Sequence, residues 1–366
     1  MLSDRVKHID ASGIRRVFDL AGTMKDPINL SIGQPDFDVP EPIKDAAIEA
    51  IRAGHNRYTQ TQGIPELHAA IRKRLQERKQ FEPEAMLITS AVSGGLLLAF
   101  LATLNPGDEV IIPDPYFVMY KHLATLCGAK VVFLDTYPDF RLRREALEPL
   151  LTNHTKMIVV NSPCNPTGAV YTADELRMVA GLAKERGILV VSDETYEAFV
   201  YDAPYTSMAS LHPPTLLLSG FSKTYAMTGW RLGYAAGPGE LISAMTKLQQ
   251  YTFVCAPSFA QRAGLTALDC DVSDLMAAYH RRRDLIYNGL RDAGYEVQKP
   301  DGSFYIFPRV PWGTDMEFVE AALRHNLLII PGSVFSERKS HFRLAFPVAD
   351  ATIRRGIEVL QRIAKR

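Results

Sequence analysis

The sequence has no excess of charge of either sign, few cysteines and no long uninterrupted apolar run. Its 366 residues include 41 Lys and Arg and 41 Asp and Glu, so the formal net charge is zero. A chain without a basic excess lacks the electrostatic footprint of general nucleic-acid binding. Small molecules or another protein surface are therefore the expected partners. With 47% hydrophobic residues, the chain can bury a large core, and disordered and fibrous classes are excluded.

The cysteine pattern predicts neither disulfides nor a metal site. Cys127, Cys164, Cys255 and Cys270 lie far apart and form no CxxC pair, and histidines at metal-ligand spacing do not accompany them. They are expected to be reduced core thiols of a protein in a reducing compartment.

The N-terminus and the most apolar segment predict a soluble, cytoplasmic protein. The first ten residues, MLSDRVKHID, reach an acid at Asp4 and build no apolar core of a signal peptide. Residues 85–107 carry no charge, but Thr89, Ser90 and Ser93 interrupt them, and the apolar part that follows is too short to span a membrane. We expect a buried strand, a polar turn and a buried helix there.

Short β-branched runs alternate with helical segments through the middle of the chain. Candidate strands are residues 86–89, 110–112, 130–134, 157–161, 189–193, 216–219 and 232–236. Amphipathic segments 142–151 and 173–186 lie between them; Thr172 and Glu175 form a capping box before the second, and Gly187 ends it. This pattern predicts an α/β fold with a mostly parallel sheet of seven strands, flanked by helices.

The alternation of apolar strands and helices ends at about residue 269, and the pattern that follows predicts a smaller α+β unit. A charged helix over residues 274–294 carries Arg281, Arg282 and Arg283, which are expected to form a solvated face. Short strands follow at 304–307, 327–330 and 341–345, and a terminal helix begins at Asp350. We predict a large domain at residues 46–275 and a small domain at 1–45 plus 276–366, with the N-terminal residues as an arm or strand of the small domain.

Side chains that can take part in catalysis or ligand binding follow three successive strands of the predicted sheet. Asn165 lies in NSPCNPTG, Asp193 and Tyr196 in SDETYE, and Lys223 and Arg231 in SGFSKTYAMTGWRLGY. Ligands bind beyond the carboxyl ends of the strands in such sheets, so these residues are expected to converge. Each alone has an ordinary explanation: a surface lysine, a helix cap, a turn asparagine or a buried ion pair.

Seven segments match, in order, the motifs of a known family. They are NLSIGQPDF, YTQTQGIPELHAAI, NPGDEV, NSPCNPTG, SDETYE, SKTYAMTGWRLGY and HFRLAF, and they run from Asn29 to Phe346. The chain thus resembles the fold-type I pyridoxal-phosphate aminotransferases of class I/II, the aspartate aminotransferase superfamily. The resemblance implies the PLP-dependent transferase fold, pyridoxal 5′-phosphate as cofactor, and ping-pong transfer of an amino group from an L-amino acid to a 2-oxo acid.

The resemblance assigns the reacting groups. Lys223 would form the Schiff base with the cofactor and move the proton between the substrate α-carbon and cofactor C4′. Asp193 would keep the pyridine nitrogen protonated. Tyr196 and Asn165 would hydrogen-bond the phenolic oxygen of the ring, and Phe117 would stack on the ring.

The resemblance also assigns the phosphate and substrate contacts. The phosphate would meet backbone amides at a helix N-terminus, a hydroxyl and a guanidinium, supplied by Ala91, Val92, Ser93, Ser222 and Arg231. Tyr58 would reach the phosphate of a neighbouring subunit, which implies a homodimer with shared sites. Arg343 would bind the α-carboxylate of the substrate, with Gly33 and Asn165 beside it.

Two departures from the family's patterns bear on specificity and on the phosphate. Many bacterial aspartate aminotransferases carry Gly-Gly-Lys where this chain has Ala91, Val92 and Ser93, so a charge-based preference for acidic substrates is in doubt. A phosphate-binding serine is common where this chain has Gly220, and either Ser219 or Ser222 is a candidate replacement.

The side-chain pocket and two other functions stay open. Tyr251, Phe253, Phe304 and Tyr305 are candidates for an aromatic wall, although core packing explains them equally well. A carbon–sulfur β-lyase would use the same fold and lysine, because both reactions begin with loss of the α-proton. A non-catalytic effector-binding domain would need a DNA-binding module, for which there is no room before the Asn29 motif.

Overall fold

The computed structural model describes residues 2–7, 9, 13, 24–211 and 214–365. Within these residues the strands are β1 (Ile28–Asn29), β2 (Ala85–Ser90), β3 (Glu109–Asp114), β4 (Lys130–Asp135), β5 (Thr155–Asn161), β6 (Leu189–Asp193), β7 (Thr215–Gly220), β8 (Leu232–Gly237), β9 (Tyr305–Ile306), β10 (Leu327–Leu328), β11 (Ile330–Pro331) and β12 (Phe342–Ala345). The helices are α1 (Asp4–Lys7), α2 (Glu41–Arg52), α3 (Pro65–Lys79), α4 (Ala91–Thr103), α5 (Met119–Leu126), α6 (Arg144–Leu147), α7 (Ala173–Arg186), α8 (Gly239–Thr252), α9 (Ser258–Asp269), α10 (Ser273–Asp292), α11 (Asp315–Arg324) and α12 (Asp350–Ile363).

Seven strands form one sheet in the order β2-β8-β7-β6-β5-β3-β4. Neighbouring strands pair in parallel except β8, which runs antiparallel to both β2 and β7. This confirms the predicted mostly parallel seven-stranded sheet. The carboxyl ends of β5, β6 and β7 therefore meet at one edge.

The central strands are largely apolar because helices cover both faces of the sheet. Val159 and Val191 belong to the apolar cluster beneath α4, whereas their neighbours Val160 and Val190 belong to the cluster beneath α7. Alternate residues of a strand point to opposite faces, so β5 and β6 each contribute to both clusters. Full burial of such a side chain stabilises the fold by about 1.5–3 kcal/mol.

Local capping signals set the bounds of α7 as predicted. The Thr172 hydroxyl accepts a hydrogen bond from the Glu175 backbone, and the Glu175 carboxylate accepts one from the Thr172 backbone. The helix ends at Gly187, whose φ of 63° lies in the left-handed region that favours glycine.

A second, antiparallel sheet has the order β11-β12-β9. Strand β1 pairs in parallel with β10, and the Ala345 backbone N–H donates to the Leu30 carbonyl at 2.7 Å. The N-terminal segment thus joins the C-terminal part of the chain, as predicted for an arm; residues 1, 8, 10–12 and 14–23 of that arm lie outside the described residues. The proposed domain boundaries stay a prediction.

Three predicted elements differ from the structure. The strand predicted at 327–330 is two short strands, because β10 pairs with β1 and β11 pairs with β12. The helix predicted at 142–151 is the short α6 followed by a 3₁₀ turn, Glu148–Leu150, that contains Pro149, which lacks a backbone N–H. The charged helix is α10, with slightly different bounds.

The predicted solvated arginine face is wrong for Arg283. Its side chain is fully buried, and its Nη2 lies 2.7 Å from Asp202 Oδ2. The neighbouring Arg282 is largely buried and pairs with Asp36. Both carboxylates come from segments distant in the chain. A run of charged residues therefore predicts exposure wrongly where the fold supplies buried ion-pair partners.

The uncharged segment at 85–107 is a strand followed directly by a helix. Helix α4 begins at Ala91, so Ser93, Gly94 and Gly95 lie inside it rather than in a polar turn. A Cβ on Gly95 would lie 2.9 Å from Leu218 Cδ2, so the glycine lets the helix approach the sheet closely. Among the described helices, none is long and apolar enough to cross a membrane.

Candidate active site

A cavity of about 470 Å³ lies at the carboxyl edge of the large sheet. It is bounded by the ends of β5, β6 and β7 and by the start of α4. The structure brings twelve of the sequence-predicted site residues to its wall: Gly33, Ala91, Val92, Ser93, Phe117, Asn165, Asp193, Tyr196, Ser222, Lys223, Arg231 and Arg343.

Lys223 follows β7 by three residues and extends its amine into the cavity. Its Nζ donates a hydrogen bond to the Gly33 carbonyl at 2.8 Å. Burial, together with the positive charges of Arg343 and Arg231, lowers the pKa of Lys223 to about 8, although Asp193 opposes this shift. A larger fraction of the amine is therefore neutral and nucleophilic near neutral pH than in an exposed lysine.

Asp193 ends β6 and is held at the cavity wall by two hydroxyl groups. The Tyr120 phenol donates to Oδ2 at 2.7 Å and the Thr195 hydroxyl donates to Oδ1 at 2.6 Å. Burial raises the pKa of Asp193, whereas these two hydrogen bonds lower it. A cation placed against this buried carboxylate would favour its charged form, which is what a protonated pyridine nitrogen requires.

The start of α4 faces the cavity beside a guanidinium. The first helical residue, Ala91, has a φ of 56°, in the left-handed region that is strained for alanine. A Cβ on Gly233 would lie 2.7 Å from the Ala91 carbonyl carbon, so β8 can approach the helix start only with glycine there. Arg231 Nη2 donates to Ser93 Oγ at 2.7 Å. A helix N-terminus with a guanidinium suits a phosphate.

The two serines near Gly220 lie on different sides of β7. Ser222 lines the cavity that holds Lys223, whereas Ser219 lines a separate cavity of about 180 Å³. Gly220 borders both cavities, and a Cβ there would lie 3.0 Å from Gly233 Cα. The geometry therefore favours Ser222 over Ser219 as a contact for a ligand in the larger cavity.

Arg343 is a buried cation with one unsatisfied donor. Its Nη1 donates to Asn165 Oδ1 at 3.1 Å and its Nη2 to the Ser31 carbonyl at 2.9 Å. Its Nε has no hydrogen-bond partner among the described residues. The guanidinium lies between the rings of Tyr305 and Phe335, 4.5 and 4.4 Å from their centroids. A buried guanidinium with neutral partners and a free donor suits a carboxylate.

Aromatic groups complete the wall of the cavity. The Tyr196 and Tyr305 hydroxyl oxygens lie 3.0 Å apart. Phe117 packs edge-on against Tyr120, with ring centroids 5.6 Å apart. With the lysine amine, the buried carboxyl group and the two anion-binding groups, these residues fit pyridoxal phosphate and an amino acid.

Other predicted residues do not line the cavity, although the Phe304 ring centroid lies 5.9 Å from Lys223 Nζ. Tyr58 and Tyr251 are 84% and 85% exposed, and Phe304 is buried in the core formed by the C-terminal strands and helices. Of the candidate aromatic wall, Tyr305 alone lines the cavity among the described residues. Tyr120 and Thr195, which hold Asp193, carry no local sequence signal beyond the position of Thr195 two residues after the aspartate.

Comparisons with known proteins agree with this geometry. The family described as aminotransferase class I and II matches residues 25–360. The chain is 38% identical over 377 residues to a probable aspartate aminotransferase of Methanocaldococcus jannaschii, covering 99% of this chain and 100% of that protein. It is 35% identical over 382 residues to aromatic-amino-acid aminotransferase 2 of Thermococcus litoralis, covering 100% and 98%.

The fold comparison gives the same result. The structure of the Thermus thermophilus aspartate aminotransferase with maleate matches with a TM-score of 0.96 at 34% identity, covering 99% of each chain. The chain belongs to the class I and II aminotransferases and is a pyridoxal-phosphate-dependent enzyme that transfers amino groups.

Proposed function

We propose that this enzyme transfers the amino group of an L-amino acid to a 2-oxo acid in two half-reactions at this cavity. Its principal groups are Lys223, Asp193, Arg231 and Arg343. One observation supports the assignment above all: these four side chains, carried by three separate segments of the chain, line one cavity. Together they supply an amine, a carboxylate and two guanidinium groups to one ligand.

Lys223 holds the cofactor and moves the proton. When bound, pyridoxal phosphate supplies an aldehyde carbon that links to amines and a ring that takes up the electron pair of the broken α C–H bond. With the cofactor and an amino acid bound, the Lys223 amine would be the group that takes the proton from the substrate α-carbon and returns it at cofactor C4′. Its pKa of about 8 suits both steps near neutral pH.

Asp193, Tyr196 and Asn165 set the electronic state of the ring. The Asp193 carboxylate keeps the pyridine nitrogen protonated through a charge-assisted hydrogen bond. Tyr196 and Asn165 donate to the phenolic oxygen and favour its ionised form. Phe117, which lines the cavity, would stack on the ring and exclude water from it.

Arg343 binds the α-carboxylate of every substrate. Its free Nε and an Nη offer parallel N–H groups that suit a carboxylate, and Asn165 and Ser31 hold the guanidinium in place. Gly33 closes the cavity over the same carboxylate. This contact orients the α C–H bond toward Lys223.

The phosphate contacts extend the proposal to a homodimer. The amides of residues 91–93, the Ser222 hydroxyl and the Arg231 guanidinium bind the phosphate from one subunit. Tyr58 of a second copy adds a phenol, so each site is shared between two subunits. The exposure of Tyr58 and Tyr251, 84% and 85%, supports an interface on this part of the surface.

The compartment and the domain division are part of the same proposal. The enzyme works in the reducing cytoplasm, which is supported by the free thiols of its four cysteines. Residues 46–275 form the cofactor-binding domain, and residues 1–45 with 276–366 form the small domain. The separate sheets of the two regions support this division.

The donor class is proposed from the relatives and from Ser93. Relatives are named for aspartate and for aromatic amino acids. Ser93 carries no charge and its hydroxyl accepts from Arg231, so it does not read a distal carboxylate by charge. Both donor classes therefore belong in the test.

The decisive experiment is an absorbance scan of the cofactor-loaded enzyme against a panel of L-amino acids without an acceptor. A true donor converts the cofactor to its amino form and yields one 2-oxo acid per active site. Lys223→Ala, as the matched control, retains no turnover. A spectrum that persists while pyruvate and ammonia accumulate over many turnovers would replace this proposal with the β-lyase.

A further inference from the structure

Tyr305 contacts both Tyr196, on the cofactor side of the proposed site, and Arg343, on its substrate side. It begins β9, where it pairs with Ala345 in the register of the small sheet. The side chain is 2% exposed and lines the cavity. Its hydroxyl oxygen lies 3.0 Å from that of Tyr196, and its ring lies against the Arg343 guanidinium.

Either phenol could donate in the hydrogen bond between Tyr196 and Tyr305, and the role proposed for Tyr196 decides between the two directions. A tyrosine hydroxyl has one proton to donate and can also accept. If Tyr196 donates its proton to the phenolic oxygen of the cofactor, Tyr305 must be the donor between the two phenols. Successive hydrogen bonds of this kind polarise one another, so the first donor strengthens the second.

The same side chain shapes the part of the cavity that meets the substrate carboxylate. The centroid of its ring lies 4.5 Å from the Arg343 guanidinium carbon, and that of the Phe335 ring lies 4.4 Å from the same atom. A Cβ on Gly33 would lie 2.1 Å from the Tyr305 hydroxyl oxygen. The phenol thus occupies the space that any larger residue at position 33 would need.

We propose that Tyr305 is a positioning residue for both the cofactor contact of Tyr196 and the substrate contact of Arg343. Its hydroxyl donates to Tyr196, and its ring holds Arg343. The hydroxyl aligns the Tyr196 proton with the ring oxygen of the cofactor. The ring keeps the guanidinium in the plane in which it meets the substrate carboxylate. This inference rests on the roles proposed above for Tyr196 and Arg343.

The first test measures the pH midpoint of the colour change of the cofactor bound at Lys223. The ionisable groups that act on Tyr196 are Tyr305, Asp193 and Arg343, and Asp193 and Arg343 stay unchanged throughout. Weaker donation to the ring oxygen raises this midpoint, because the ionised oxygen is stabilised less. Tyr196→Phe is expected to raise it by about one unit, and Tyr305→Phe by on the order of 0.3 unit.

The double variant Tyr196→Phe/Tyr305→Phe separates positioning from general disturbance. Since Tyr305 acts through Tyr196, the double variant should have the midpoint of Tyr196→Phe alone. Additive shifts, or a Tyr305→Phe midpoint equal to that of the wild type, would overturn the inference and leave the proposed function intact. An unchanged midpoint in Tyr196→Phe would instead remove the proposed role of Tyr196, and this inference with it.

The second test uses the Michaelis constant of the amino-acid donor. Tyr305→Phe keeps the ring, so KM should stay within about twofold, whereas Tyr305→Leu should raise KM about three- to tenfold through loss of the cation–π contact. Equal KM values in the two variants would overturn the role of the ring. Tyr295→Phe is the matched control, because its buried hydroxyl donates to the Leu360 carbonyl outside the cavity. Thermal unfolding of each loaded variant checks that it is folded.

Discussion

The Tyr120 phenol donates to Asp193 Oδ2 over 2.7 Å, so α5 is tied directly to the end of β6. The carboxyl group is buried, and burial raises its pKa. The phenol and the Thr195 hydroxyl oppose that shift by stabilising the ionised form. In the role proposed for Asp193, the negative charge that it would offer to a protonated pyridine nitrogen therefore depends on these two neighbours as well as on Asp193 itself.

Tyr120→Phe is expected to weaken cofactor binding about tenfold, the effect of losing one hydrogen bond to a buried charged group. Without this donor the pKa of Asp193 rises further, and less of the carboxyl group is ionised near neutral pH. The dissociation constant from an absorbance titration of cofactor into stripped enzyme measures the effect. Tyr116→Phe, which removes a phenol bonded to Glu337, serves as control. Equal affinities for the two variants would contradict the prediction.

The rate of cofactor incorporation is expected to rise with pH as the Lys223 amine loses its proton. Its pKa is lowered to about 8 from the ordinary value of 10.5, so the amine is protonated and unreactive below that pH and neutral above it. The rate of incorporation into stripped enzyme should rise with pH and reach half its maximum near pH 8. Arg343→Gln removes one of the nearby positive charges and should move this midpoint upward. A wild-type midpoint near that of free lysine would contradict the assignment.

Ser222→Ala and Ser219→Ala form a matched pair, because the two hydroxyls border different cavities. Ser222→Ala should weaken binding of pyridoxal phosphate by about tenfold through loss of one hydrogen bond to the charged phosphate, whereas Ser219→Ala should leave it unchanged. Inorganic phosphate, as a competitor of the cofactor, should lose affinity in Ser222→Ala to a similar extent. The reverse ranking would place the phosphate on the other side of Gly220.

The buried lysine at the end of α3 is expected to support stability rather than chemistry. Lys79 forms ion pairs with Glu194 and Glu197, and its side chain is 6% exposed. Lys79→Met leaves Glu194, which follows Asp193, buried without its cation, and should cost about 3–5 kcal/mol of unfolding free energy. Urea unfolding measures this loss. Arg177→Ala, which breaks an exposed pair with Asp174, should have little effect by the same assay.

Elements with local signals are predictable from the sequence alone. Helix α7 has the predicted bounds because Thr172, Glu175 and Gly187 specify its ends within the chain segment itself. Strands buried on both faces read as continuous apolar runs, so the end of β6 at Asp193 is also predictable. The convergence of Lys223 and Asp193 follows from the parallel order of the strands that precede them.

Residues whose partners come from distant segments are not predictable in this way. Tyr120 lies on a short apolar helix, and nothing in its neighbourhood indicates a bond to Asp193. Tyr305 reads equally well as core packing until β9 and β12 are paired. Arg283 reads as exposed because Asp202, its partner, belongs to another segment. In each case tertiary packing decides where the side chain points.

The pairing of β1 with β10, and of Leu30 with Ala345, has a consequence for the order of events during synthesis. The strands that present Asp193 and Lys223 leave the ribosome well before Arg343 does. Because domains form as their segments emerge, we expect the cofactor half of the site to assemble on the nascent chain. Ser31 and Arg343, which are hydrogen-bonded in the fold, can meet only after residue 343 has emerged. The capacity to hold an amino acid is then the last property that the growing chain acquires.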